Sequence, residues 1–271
     1  MKLVTSNTFK DFLNELNSQN TEIGFLAGGT NIMLDEKRGT NDKKTVYNLS
    51  SFNEELQYIK TFENYIEVGA LITINDLLHH PAVVAHLPQL VKSLESIGSK
   101  QVRNMGTLVG NLANASSIGD AIPVLLTIDA KVNIISAKGE RTVSVDNFII
   151  DYKKTCLAPN EIIKSISLPV NKLGSKYDFF KVAVRPTATI SKVNLAYAKE
   201  GNIIRLASGG VNKIPTRLFN TEKLFEVQNL SRENFEETLN KDVSPISDLR
   251  STSQYRKSVL LNLIFSIYQL K

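Results

Sequence analysis

The sequence predicts an α+β protein of two domains. Its 271 residues exceed the length of about 150 residues that is usual for one domain. Helical and strand patterns alternate over 1–170, whereas strands are followed by helices over 171–271. We therefore expect a first domain over 1–170, with subdomains at about 1–54 and 55–170. We expect the second domain, 171–271, to be a three-stranded antiparallel sheet with helices.

The first subdomain begins with an amphipathic helix, because apolar residues recur at helical spacing from Phe9 to Leu16. Thr8 precedes this run and is a residue type that caps helices. The pattern that follows predicts one small α/β layer. Its expected elements are a strand at 22–27, a turn at 30–34 and a strand at 45–49.

The second subdomain mixes strand pairs with helices. Two turns mark its hairpins, one at Glu63-Asn64 and one at Lys138-Gly139. A polar, glycine-rich loop is expected at 98–120. The expected strands are 56–60, 65–69, 132–136, 141–145 and 162–168, and the expected helices are 74–80, 83–97 and 121–128.

A short polar segment, 171–176, is the expected domain boundary. The turn at Glu200-Gly201-Asn202 joins two of the strands beyond it. The expected strands are 177–184, 193–198 and 203–209, and the expected helices are 223–228, 234–239 and 253–270.

Metal ligands are scarce in this chain. Cys156 is the single cysteine, and the three histidines all fall within 79–86. One thiol cannot ligate an iron–sulfur cluster or build a thiolate zinc site, so we expect no metal here. If the protein carries out redox chemistry, its electron carrier is an organic cofactor. The net charge of +5 is dispersed, which argues against binding to nucleic acid.

No membrane or targeting segment is expected. The first residues, MKLVTSNTFKDF, become polar at once and lack the apolar stretch of a signal peptide. The longest apolar run, 259–267, is interrupted by Asn262 and Ser266, which is typical of a core helix. We therefore expect a cytoplasmic protein.

Two segments carry the chemistry. The first is Phe25-Leu26-Ala27-Gly28-Gly29-Thr30-Asn31-Ile32, a strand that ends in two glycines. Such glycines let successive N–H groups point into a concavity suited to phosphate, although a Gly-Gly pair after a strand is by itself an ordinary turn. The second is 101–120, QVRNMGTLVGNLANASSIGD, which is rich in small residues and amides. Asp120 at its end would alone be an ordinary helix cap.

Together these segments resemble the FAD-binding subunits of molybdenum hydroxylases, the family of the xanthine dehydrogenase and carbon monoxide dehydrogenase medium subunits. That family shows Ala-Gly-Gly-Thr-Asp/Asn and then Ile/Val-Arg-Asn-x-x-Thr-x-Gly-Gly-Asn-Leu-x-x-Ala-Ser-Pro-x-x-Asp, and this chain has 27–31 and 102–120 in the same order. Further matches are Phe180-Lys181, Arg185, Ile190, Val193-Asn194, 207–211, 247–250 and Tyr255-Arg256.

The resemblance implies an FAD held between two subdomains of the vanillyl-alcohol-oxidase/PCMH type, followed by a C-terminal domain of the CO dehydrogenase flavoprotein type. Backbone N–H groups of the two segments would wrap the pyrophosphate and ribityl chain, and Asp120 would accept hydrogen bonds from cofactor hydroxyls. The residues implied to bind FAD are Phe25, Leu26, Ala27, Gly28, Gly29, Thr30, Asn31, Ile32, Ile97, Thr107, Leu108, Val109, Gly110, Asn111, Asp120, Ile163 and Lys181.

The resemblance also implies a role in electron transfer. A partner molybdopterin-binding large subunit would hydroxylate the substrate, and a [2Fe-2S] small subunit would deliver electrons to this FAD for transfer to NAD+. Purine hydroxylation of the xanthine dehydrogenase type is the first expectation, with nicotinate and aldehydes open. An independent flavin reductase or oxidase is one alternative. A flavin-free scaffold subunit is another, motivated by departures from the family pattern at Val109 and 187–189; a third departure, Ser117 in place of proline, leaves the donors of its loop intact.

Overall fold

The computed structural model describes residues 2–18, 23–43, 45–170, 176–185, 188–201 and 203–269. Within these ranges the chain forms an N-terminal, a central and a C-terminal sheet, together with a small hairpin. Most of the expected boundary at 171–176 lies outside the described residues. The described residues also leave out Glu22 of an expected strand, Asn202 of an expected turn and Leu270 of an expected helix, as well as Thr187, one of the departures from the family pattern.

The N-terminal sheet is parallel, with strand order β1-β3-β2. Thr8 caps the first helix as expected, because its Oγ1 accepts a hydrogen bond from the N–H of Asp11 at 3.1 Å. Phe12 fixes the helix on the sheet, with its ring stacked on Phe52 at 4.9 Å and edge-on to Phe25 at 6.3 Å. The elements are β1 (Lys2–Val4), α1 (Phe9–Ser18), β2 (Ile23–Leu26), α2 (Ile32–Arg38) and β3 (Thr45–Asn48).

The central sheet is antiparallel and has one apolar and one polar face. Ile66, Val132 and Ile166 are buried on the first face, while Glu67 and Asn133 alternate with them on the second. Its strand order is β4-β5-β10-β6-β7. The strands of this part of the chain are β4 (Ile59–Thr61), β5 (Tyr65–Gly69), β6 (Lys131–Ser136), β7 (Gly139–Ser144), β8 (Ile149–Asp151), β9 (Lys154–Thr155) and β10 (Ile162–Pro169).

The helices of this domain correct two expectations. The single helix expected at 83–97 is wrong, because the chain breaks at Leu87 and Pro88 opens a new helix. The expected loop at 98–120 contains two short helices, whose caps Ser99 and Thr107 each accept a backbone N–H. The helices are α3 (Asn53–Leu56), α4 (Ile74–His79), α5 (Pro81–His86), α6 (Pro88–Glu95), α7 (Lys100–Met105), α8 (Leu108–Ala113), α9 (Ala121–Thr127) and α10 (Val145–Phe148).

The C-terminal sheet is antiparallel in the order β11-β12-β13-β14, so a short fourth strand extends the three that were expected. The helix expected at 223–228 is wrong, since a helix ends at Lys223 and a 3-10 turn, Leu224–Glu226, follows it. The elements are β11 (Lys176–Ala183), β12 (Ser191–Glu200), β13 (Ile203–Gly209), β14 (Thr216–Arg217), α11 (Phe219–Lys223), α12 (Arg232–Asp242) and α13 (Ser253–Gln269).

The two faces of the C-terminal sheet have different partners. Phe179, Ala196 and Ala207 belong to the main hydrophobic core, which they share with the first domain. Leu195 and Leu206 lie in a second core with the helices of their own domain. Alternation along β12 therefore turns one set of its side chains toward the first domain. None of the described helices is both long and apolar enough to span a bilayer.

Candidate functional site

Gly28 brings the two glycine-rich segments into contact. A Cβ on this residue would stand 1.6 Å from the carbonyl oxygen of Met105 and 2.4 Å from its carbonyl carbon. Both atoms belong to the backbone at the end of α7, so a side chain has no space there. Glycine is therefore required at this position for the first segment to pack against the second.

The N–H groups of residues 28–32 form a free row. Among the described residues, none accepts a hydrogen bond from these five N–H groups. The chain enters α2 here, as the N–H of Met33 donates to the carbonyl of Gly29 at 3.1 Å. Residues 28–32 are half-buried or exposed, and N–H groups without an acceptor at the start of a helix are available to an anionic ligand.

The second segment is held by the cap of α8. The Thr107 hydroxyl accepts the N–H of Gly110 at 2.9 Å, and the Thr107 carbonyl accepts the N–H of Asn111 at 3.0 Å. These two N–H groups are thus already used within the chain. Asn111 carries a buried side-chain oxygen, Oδ1, for which the described residues offer no hydrogen-bond partner. A buried polar atom without a partner is rare in proteins and is expected where a ligand supplies the missing group.

Asp120 and Lys181 form a buried ion pair between the domains. Lys181 Nζ lies 2.6 Å from Asp120 Oδ2, and both side chains are 9% exposed. Nζ also donates to the carbonyl of Ser96 at 2.8 Å. Asp120 precedes α9, yet its side chain makes no capping hydrogen bond to that helix. The ordinary-cap interpretation of Asp120 is therefore wrong, and its carboxylate joins the first domain to the C-terminal sheet.

The pair retains free hydrogen-bonding capacity. Asp120 Oδ1 accepts hydrogen bonds from Ser191 Oγ at 2.5 Å and Asn194 Nδ2 at 2.9 Å. A carboxylate accepts about four hydrogen bonds and an ammonium donates three. With Lys181 on Oδ2, one acceptor position and one N–H remain on adjacent atoms. Such a pair suits a ligand group that both donates and accepts, as a hydroxyl or a flavin edge does.

The remaining residues implied to bind FAD lie partly near the groups described above and partly in the hydrophobic core. Ile97 is half-buried and directly follows Ser96, whose carbonyl accepts a hydrogen bond from Lys181. Leu108 and Val109 are buried at the start of α8. Ile163, by contrast, packs into the main hydrophobic core on β10, which leaves its role toward a cofactor a prediction.

These residues fit an FAD. Free N–H groups suit its diphosphate, the unpartnered Asn111 oxygen suits a hydroxyl, and the Asp120–Lys181 pair suits the polar edge of the ring system or ribityl chain. The family described as the FAD-binding domain in molybdopterin dehydrogenase matches residues 1–171. The chain belongs to this family. Its second domain matches the CO dehydrogenase flavoprotein C-terminal domain over 178–270.

Relatives of this FAD-binding medium subunit are named for several different dehydrogenases. The glyceraldehyde dehydrogenase medium chain of Sulfolobus acidocaldarius is 30% identical, over 90% of this chain and 89% of that protein. The xanthine dehydrogenase FAD-binding subunit of Escherichia coli is 27% identical, over 92% and 88%. Carbon monoxide dehydrogenase from Hydrogenophaga pseudoflava shares the fold, with a TM-score of 0.89 at 22% identity over 97% of this chain and 94% of that one.

The molybdenum hydroxylase subunit also has a cavity that lies apart from this site. A cavity of about 690 Å³ opens over the polar face of the central sheet. Tyr58 and Glu67 line it, but none of the residues implied to bind FAD does. Within the described ranges, no group of three His, Cys, Asp or Glu side chains is arranged to hold a metal ion.

Of the C-terminal residues that contact Asp120, the resemblance implies Lys181 but not Ser191 or Asn194. Asn194 belongs to a matching motif that assigns it no role, and no motif marks Ser191. Arg256 was also left without a role. It is 3% exposed, and its Nη1 donates to the carbonyls of Lys192 and Gly210 at 2.6 and 2.9 Å. Arg256 thus ties together the ends of β12 and β13 beside Asp120.

Asp248 holds the Arg256 side chain in place. Arg256 Nη2 donates to Asp248 Oδ1 at 2.7 Å, and the N–H groups of Arg250 and Ser251 donate to the same oxygen. Burial alone would raise the pKa of Asp248, but these hydrogen bonds outweigh burial and lower its pKa below the usual value. The family motif at 247–250 therefore has a structural function.

Proposed function

We propose that this chain is the electron-transfer subunit of a molybdenum hydroxylase complex, taking electrons from iron–sulfur clusters on a small subunit and passing them to NAD+. The observation that carries the proposal is the free row of N–H groups at 28–32, held against the second segment by Gly28. Backbone donors of this kind stabilise a diphosphate through hydrogen bonds, without a metal.

FAD, when bound, accepts electrons singly or in pairs and releases them as a hydride. The chain's own residues bind and orient it. We propose that the N–H groups of 28–32 hold the diphosphate and that the Asn111 oxygen accepts from a cofactor hydroxyl. The remaining acceptor of Asp120 and the remaining N–H of Lys181 fix the flavin end. No residue of this chain is proposed to act as a base on the organic substrate.

The substrate is proposed to be a purine, as in xanthine dehydrogenase. The Escherichia coli relative named for that enzyme supports this choice, and the medium chain named for glyceraldehyde dehydrogenase supports an aldehyde instead. Because a molybdenum-bearing partner selects the substrate, the intact complex has to be assayed. Xanthine, nicotinate and glyceraldehyde supplied in turn, with NAD+ as acceptor, distinguish these substrates. If NAD+ is reduced only when xanthine is supplied, the purine proposal is supported. Turnover with nicotinate or glyceraldehyde contradicts it.

A single purification tests the subunit role. We expect a yellow complex in the cytoplasmic fraction that contains this chain, a molybdenum subunit, an iron–sulfur subunit and releasable FAD. A colourless chain without FAD would indicate the scaffold alternative. NADH turnover at full rate by the chain alone would indicate an independent flavin reductase.

A further inference from the structure

We infer that Ser191 and Asn194 are positioning residues for the flavin, which act through Asp120. Neither residue is among those implied to bind FAD, and both lie in β12 of the C-terminal domain. The inference rests on the proposed function, since it concerns how that function's cofactor is held. It assigns to the C-terminal domain control over the affinity and the reduction potential of an FAD bound mainly by the first domain.

The geometry around Asp120 supports this role. Ser191 Oγ and Asn194 Nδ2 both donate to Oδ1 of Asp120, at 2.5 and 2.9 Å. Ser191 is 1% exposed and Asn194 is fully buried, so water does not replace these donors. With Oδ1 occupied from β12, the carboxylate cannot rotate freely, and the free acceptor position on Oδ2 stays beside the Lys181 ammonium.

Asn194 is itself held in one orientation. Its Oδ1 accepts the N–H of Gly209 at 2.7 Å, which leaves Nδ2 to face Asp120. A Cβ on Gly209 would stand 2.5 Å from that same oxygen, so the glycine permits the close approach of β13. The Asn194 side chain is thus fixed by β13 on one side and in turn fixes the Asp120 carboxylate on the other.

The expected electrostatic effect follows from the charge on Asp120. Each hydrogen bond donated to the carboxylate offsets part of its negative charge. Loss of one donor therefore leaves a more negative field beside the flavin, which disfavours added electrons and lowers the midpoint potential. Loss of orientation weakens FAD binding in both redox states.

Ser191→Ala tests the inference, and Ser208→Ala is its matched control. Ser208 is a fully buried serine on the neighbouring strand, but it donates to the Asn194 main-chain carbonyl at 2.6 Å and not to Asp120. Both variants are made in the full chain, and three quantities are measured: the melting temperature, the Kd for FAD and the midpoint potential of the bound flavin.

We expect Ser191→Ala to weaken FAD binding by about fivefold, the equivalent of one hydrogen bond. If reduced FAD loses fivefold more affinity than oxidised FAD, the midpoint potential falls by about 20 mV. Ser208→Ala should leave the Kd and the potential as in the wild type. Should Ser191→Ala not fold, Ser191→Cys keeps a side chain of similar shape but donates only weakly to Asp120, with the same expected directions.

An unchanged Kd and potential in Ser191→Ala would overturn the inference, and so would equal shifts in Ser208→Ala, because both residues would then act only through the sheet. A wild-type chain that binds no FAD would instead refute the proposed function. The two failures are therefore distinguishable.

Discussion

Replacing Gly28 with alanine should separate the two segments that form the proposed diphosphate site. The new Cβ would lie 1.6 Å from the Met105 carbonyl oxygen, whereas an ordinary contact of this kind is about 3.4 Å. The segments must therefore move apart by about 1.8 Å, or the backbone must distort. Overpacking of this kind costs about 1–3 kcal/mol, which corresponds to a Kd for FAD weaker by about 5- to 150-fold.

The assay is a titration of the purified full chain with FAD, followed by flavin fluorescence, together with a thermal melt of the FAD-free chain. Gly39→Ala is the control, since it adds the same methyl group at a position with no atom within 4 Å. Its positive φ of 68° predicts a loss of stability of about 1 kcal/mol and an unchanged Kd.

An unchanged Kd in Gly28→Ala would refute the reasoning, because it would show that contact between the segments is not needed for binding. A lowered melting temperature with normal FAD affinity would also contradict it. In that case the close approach at Met105 would serve the fold and not the cofactor.

Three further predictions concern the residues around this site. Asp120→Ala leaves the buried Lys181 ammonium unpaired, so we expect a loss of about 3–5 kcal/mol in the free energy of unfolding together with loss of FAD, measured by denaturant titration and absorbance. Thr107→Val removes the cap of α8, which should lower the free energy of unfolding by about 1 kcal/mol and weaken FAD binding. Thr107→Ser keeps the capping hydroxyl and should retain wild-type stability and FAD affinity; a serine variant as weak as the valine variant would contradict the capping role. Because the folded-state pKa of Asp248 is lowered, its contact with Arg256 stabilises the fold at neutral pH and weakens as the pH falls below about 4. The stability difference between wild type and Asp248→Asn should therefore narrow at low pH, and a constant difference would contradict this origin.

Local signals in the sequence predicted local structure well. Thr8 before an amphipathic run predicted the start of α1, and the cap is present. Pro88 is a residue type that indicates a break between two helices. The helical spacing of apolar residues over 83–97 nevertheless predicted one helix, because such spacing can continue across a kink. Similarly, Ser99 and Thr107 are cap residues whose short helices were hidden by the small, polar residues around them.

Contacts between distant segments could not be predicted in the same way. No periodic pattern indicates that Gly28 meets Met105, or that Lys181 crosses between domains to reach Asp120. The resemblance implied a shared ligand for these residues, but not that Asp120 is also bound by Ser191 from β12. Such contacts depend on how the domains and subdomains pack together, which a single sequence does not encode in any short window.

The central claim is that this chain holds an FAD that receives electrons from its partner subunits. The most direct test is anaerobic addition of the organic substrate to the purified complex while the visible spectrum of the flavin is recorded. We predict one FAD per copy of this chain, bleached by substrate and recoloured by NAD+. A complex whose chain contains no FAD, or whose flavin stays oxidised while the iron–sulfur clusters are reduced, would contradict the account.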